Sequence, residues 1–119
     1  MIKCLFLNIC WLISIMLLMG ICWEYNLLVL VVCLFTLCLF WVVTGFDADE
    51  ICLFVFSVLF FQIGEIVMVH TGVWVYSNPT YLGIPIWLPV AWGFTNILMK
   101  RIYFNIANIR KYLLERRSE

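Results

Sequence analysis

One acid lies deep in an apolar run, and it is the first candidate for chemistry. Glu65 has no charged neighbour for many residues on either side. A carboxyl in such surroundings must find a hydrogen-bond partner or stay protonated, and a protonated carboxyl has the form a general acid needs. Gln62 lies three residues earlier, on the same helical face. His70, the only histidine, follows five residues later, about 140° around a straight helix. That angle argues against a Glu65–His70 dyad, so His70 is either a second, separate catalytic candidate or a wetted interfacial residue. Tyr76, Trp87 and Trp92 complete the candidate set, with the tryptophans as walls of an apolar slot and Tyr76 at its mouth. The competing reading makes Glu65 a structural carboxyl that hydrogen-bonds a neighbouring helix.

These residues belong to the stretch 62–93, which holds all three prolines and four of the six glycines of the 119-residue chain. The rest is mostly apolar helix followed by a basic tail. Hydrophobic residues make up 66% and charged residues 12%, against roughly 45–50% and 25% in soluble chains. A soluble domain of this size has too little interior for that much apolar surface, so the composition predicts an integral membrane protein with the bilayer as a partner. Backbone exposed to lipid must satisfy its own hydrogen bonds, which predicts helices. The expected fold is all-α, a polytopic four-helix bundle with transmembrane helices over 4–23, 27–46, 51–72 and 82–99. A basic amphipathic helix over 100–119 is expected to lie on anionic headgroups. Residues 1–99 form the expected membrane domain and 100–119 the tail.

Six Lys and Arg follow Met99, whereas Lys3 is the only base before it. Positive flanks stay in the cytoplasm. With four spans both termini are expected there, in a bacterial inner membrane. Asp47 and Glu50 read as a capping box for the third helix. Asn78 before Pro79 reads as the N-cap of the fourth. Pro85 and Pro89 then fall inside that helix and kink it, freeing the carbonyls of Tyr81 and Pro85 at the depth of Glu65. Asn96 and Thr95 are expected to bond between helices.

The six cysteines form no C-x-x-C pair and stand far from the histidine in sequence. They read as packing residues, with no metal site and no cofactor expected. No phosphate-binding glycine loop or H-E-x-x-H motif is present. Six bases beside a membrane helix do not argue for nucleic acid.

The run E-I-V-M-V-H-T-G-V-W-V-Y, followed by L-G-I-P-I-W-L-P-V-A-W, resembles a pattern in the carotenoid hydratase-like membrane proteins of bacteria and archaea. The small lycopene cyclase proteins are similar helical bundles. The matching positions are Glu65, Gly72, Trp74, Tyr76, Leu82, Gly83, Pro85, Pro89, Ala91 and Trp92. The resemblance implies an isoprenoid or lipid-like ligand met inside the bilayer, with Glu65 as proton donor. Members of that family are longer, and their second acid has no match in this stretch. Beside this reading stands a non-catalytic structural or accessory subunit, assembling with itself or with a larger membrane partner. Transport is the weaker third class, because the spans offer so little polar lining.

Overall fold

The structure is a computed structural model that describes residues 2–117. It is all-helical: α1 (Ile2–Cys22), α2 (Asn26–Thr44), α3 (Ala48–His70) and α4 (Leu88–Arg117). The first three are long and apolar enough to cross a membrane, with mean hydropathies of 2.4, 2.9 and 2.3. α4 does not reach that standard. Its apolar part ends at Lys100, and Leu88 to Met99 covers only about 18 Å at 1.5 Å per residue.

Helix ends are set locally. At the start of α3 the Asp47 side chain accepts the Asp49 N–H at 3.0 Å, with Asp49 and Glu50 at the positive end of the dipole. The reciprocal half of the expected capping box is missing, because the Glu50 side chain turns to Arg101 instead. α3 ends in a Schellman motif. Gly72, at φ +76°, donates to Val69 O at 3.1 Å and Val73 donates to Met68 O at 2.9 Å.

The fourth helix differs from the sequence expectation at both ends. It begins at Leu88, six residues after Leu82, so Pro85 lies outside it and Pro89 in its first turn. There a missing N–H costs nothing, since the first four helical N–H groups have no intrahelical partner. Neither proline falls in the helix interior, and the carbonyls expected to be free are used: Tyr81 O accepts from Ile84 at 2.8 Å and Pro85 O from Leu88 at 3.2 Å. At the other end α4 runs unbroken through Lys100 to Arg117. The tail is therefore the second half of α4; residues 118–119 lie outside the described residues.

Residues 71–87 form an irregular connection built on a hairpin turn. Tyr81 and Ile84 bond to each other, with Leu82 at φ +46° and Gly83 at φ +82° between them. Two positive φ angles make this a type I′ turn. A Cβ on Gly83 would lie 2.5 Å from Val69 Cγ1 on α3. We expect Gly83→Ala to lose about 1–2 kcal/mol from the left-handed backbone alone, and more from the clash. Leu82→Gly removes strain at an exposed site and is expected to gain stability. Thermal melts in detergent read both, and equal melting of wild type and Gly83→Ala contradicts the turn.

Asn26, the first residue of α2, ties this connection down. Its amide donates to Asn78 O and Thr80 Oγ1, both at 2.9 Å, and accepts from Trp87 Nε1 at 3.0 Å. Asn78 donates to Glu24 O at 2.8 Å and caps no helix.

α4 is the hub. Its backbone closely approaches all three other helices, whereas that of α3 approaches α4 alone. One apolar cluster joins Ile15, Leu37, Phe40, Phe94, Ile97 and Leu98. A second joins Val29, Cys33, Ile84, Trp87, Leu88 and Ala91 beneath the 71–87 connection. α3 is built inside out. Its four buried residues are Glu50, Ser57, Gln62 and Glu65, while Leu59, Phe60 and Ile63 are 64%, 60% and 63% exposed. The α3–α4 seam is close, since a Cβ on Gly93 would meet the Phe54 ring.

Candidate functional site

The buried polar residues of α3 face α4 at three levels. At the Glu65 end, one carboxylate collects three donors. Tyr76 OH donates to Oε2 at 2.7 Å, Trp74 Nε1 to the same oxygen at 3.2 Å, and Trp92 Nε1 to Oε1 at 3.0 Å. Glu65 is 7% exposed. Two donors come from the 71–87 connection and one from α4, so the carboxylate fastens both to α3. Phe61 supports the arrangement by stacking on Trp92, with ring centroids 5.0 Å apart. Every group that reaches Glu65 brings a donor. This is hydrogen-bond chemistry suited to holding Glu65 in place.

The other candidates divide. Trp87 donates to Asn26 rather than to Glu65, but it belongs to the second apolar cluster, against which Tyr76 and Trp92 also pack. His70 is exposed at the last position of α3, its Nδ1 2.9 Å from Ile66 O on its own helix, and takes no part in the Glu65 cluster. Gln62 shares the buried face with Glu65, as the spacing predicts, but its amide has no partner among the described residues. Trp74 was not among the singled-out ligand residues; only its place between the helices, in a Trp-x-Tyr pair, signalled it.

Glu65 also borders an apolar groove of about 380 Å³ on the open side of α3. Phe60, Phe61, Ile63, Gly64, Met68 and Trp74 complete the wall. A Cβ on Gly64 would meet nothing within 4 Å. The glycine keeps this stretch of groove open.

Tyr76 carries the shortest of the three bonds. Burial, and then the Glu65 hydrogen bond, push its phenol well above the ordinary tyrosine value of 10.0. A raised folded-state pKa gives stability that is fully present below pH 10 and is lost as pH rises beyond it. Burial raises the Tyr81 phenol as well, so an ultraviolet titration of tyrosinate is expected to show two lagging phenols, and Tyr76→Phe to leave one. Unchanged curves in that variant contradict the assignment.

At mid-depth Asn96 Nδ2 donates to Ser57 Oγ at 3.0 Å, the interhelical bond expected of Asn96. At the far end is a buried ion pair that the sequence reading missed. Glu50, 2% exposed, faces Arg101 Nε and accepts from its Nη2 at 2.8 Å. It also accepts from Trp41 Nε1 at 3.0 Å. Arg101 donates further to Thr44 Oγ1 and to Gly45 O, and its guanidinium lies 4.4 Å from the centre of the Phe40 ring. Lys100 pairs with Asp47 at 3.0 Å. The signal was an acid and a base at the same end of two antiparallel apolar runs.

No group of three His, Cys, Asp or Glu residues that would hold a metal comes together among the described residues, and the cysteines are free. No family model, curated protein or solved structure matches the chain.

Proposed function

We propose that this chain is a small polytopic membrane protein that holds one isoprenoid- or lipid-like molecule in the groove beside Glu65. The observation that carries the reading is the groove itself: an apolar wall on α3, open outward, with a single fixed carboxylate at its edge. An apolar chain would lie along Phe60, Ile63 and Met68. A terminal hydroxyl would take the place of the Trp74 N–H, the longest of the three bonds and the one from an exposed donor. Glu65 then acts as a positioned acceptor, and binding is the role the geometry favours over proton transfer.

Embedding in a bilayer rests on the three apolar helices and on the inside-out α3. Cys4 and Asn8 of α1 line the same cavity as Lys100 and Arg101 of α4. The start of the chain and the basic half of α4 therefore share an end, which the positive-inside tendency assigns to the cytoplasm. The short apolar part of α4 is extended in depth by residues 82–87, where Ile84 and Pro85 are buried. Irregular backbone at that depth is tolerated where protein covers it.

A second reading, an accessory subunit, is favoured by the open side of α3, whose backbone approaches no helix but α4. Lipids and pigments that co-purify in mild detergent separate the two. Gly64→Leu fills the groove without touching the Glu65 hydrogen bonds. We expect a discrete small molecule in the wild type and its loss in Gly64→Leu at unchanged thermal stability. Identical profiles with a co-purifying protein would instead support the subunit.

A further inference from the structure

We propose a second site, independent of the Glu65 groove: a cavity at the Glu50 end that takes a phosphate-bearing headgroup. It has a volume of about 440 Å³ and lies between the start of α1, the end of α2 and the middle of α4. Its polar wall includes Asn8, Lys100, Arg101 and Asn105 together with the ion-paired carboxylates of Asp47 and Glu50, and its apolar wall includes Leu7, Val43 and Phe104.

The acceptors around this cavity are already engaged. Both Glu50 oxygens receive Arg101, and Oε2 also receives Trp41. Asp47 accepts from Lys100 with one oxygen and from the Asp49 N–H with the other. Thr44 donates to Phe40 O and accepts from Arg101.

Donors remain free. Lys100 has three N–H groups and uses one, on Asp47. Arg101 Nη1 has two and uses one, on Thr44. Asn8 is the telling residue. It is 5% exposed, yet no described residue hydrogen-bonds its side chain, and it lines the cavity. Its amide is not one of the sealed partnerless groups, which among the described residues belong to Trp11 and Gln62, so it opens onto the cavity and is available to a ligand there.

The Glu50 pair fixes the guanidinium, so its one remaining N–H, on Nη1, is held in place at the cavity wall. A phosphate oxyanion offers several acceptors to such a set, and Arg and Lys are the usual residues that receive it. Leu7, Val43 and Phe104 suit the first methylenes of an acyl chain. Basic pockets between membrane helices at a headgroup level bind anionic lipids by this chemistry.

The test is native mass spectrometry of the full chain in mild detergent, with phosphatidylglycerol, phosphatidylcholine or inorganic phosphate added. Asn8→Leu serves as the variant, with thermal melting as the fold control. We expect one phosphatidylglycerol per wild-type chain, weaker retention of phosphatidylcholine, and at least tenfold weaker binding to Asn8→Leu. Stabilisation of the wild type by inorganic phosphate, lost in Asn8→Leu and with no lipid retained, would keep the phosphate chemistry and assign it to a soluble anion. If Asn8→Leu does not fold, Lys100→Gln replaces it, with the same loss expected. A folded variant that retains lipid as the wild type does, or a wild type that binds neither, overturns the proposal. None of these outcomes depends on the Glu65 groove.

Discussion

Arg101→Met is expected to destabilise the protein more than any other single change considered. It leaves Glu50 buried at 2% exposure without its counter-charge, and removal of one member of a buried pair costs about 3–5 kcal/mol. Thr44 Oγ1 and Gly45 O lose their donor as well, which loosens the turn between α2 and α3. The effect should be asymmetric. Glu50→Gln with Arg101→Met removes both charges and keeps an acceptor for Trp41, so the double variant should recover much of the loss. Additive losses would show that the two residues act separately and would contradict the pairing. Denaturant or thermal unfolding of the four proteins in one detergent reads this coupling directly.

The second large effect belongs to Glu65, and it depends on the replacement. Glu65→Ala strips the acceptor from Trp74, Tyr76 and Trp92 together. Trp74 is 42% exposed and can find water. Tyr76 and Trp92 are half-buried, and an unsatisfied buried donor costs about 1–3 kcal/mol each. A total near 3 kcal/mol is expected, with residues 71–87 released from the helices. Glu65→Gln keeps an oxygen for Trp92, and the Tyr76 hydroxyl can rotate to accept from the new amide. Only the Trp74 bond is then lost, and the cost should fall to about 1 kcal/mol. Hydrogen exchange across 71–87 distinguishes the two variants. Equal protection in the wild type and Glu65→Ala would mean that the carboxylate does not hold this connection.

The first three helices could be read from hydropathy because each is one unbroken apolar run bounded by polar residues. Asp47 and the Thr71-Gly72 pair mark the two ends of α3 with ordinary capping chemistry. α4 was misread for a physical reason. Residues 82–87 are as apolar as a helix, and Ile84, Pro85 and Trp87 are buried, but they are buried from the end of a hairpin turn within the connection, and hydropathy does not separate these cases. The backbone cue was Leu-Gly at 82–83 followed by Pro85, which suits a turn better than a helix interior.

Glu65 shows both the reach and the limit of the sequence argument. Its isolation in an apolar run required a partner, and the structure supplies three. Which partners they are depends on how residues 71–87 fold back, and no local pattern encodes that. The Glu50–Arg101 pair was hidden because each residue already had a sufficient local explanation. Glu50 completed a capping motif, and Arg101 began a basic flank. A pair 51 residues apart becomes visible only once α3 and α4 are seen to run antiparallel.

The central claim is that α3 turns its polar residues inward and its apolar side chains to lipid. Leu59 sits midway along α3 and is 64% exposed. A photo-crosslinking benzophenone side chain at that position, irradiated in native membranes, tests the claim most directly. The account predicts adducts carrying the mass of membrane lipid acyl chains. Adducts to water-soluble components, with no lipid attached, would contradict it.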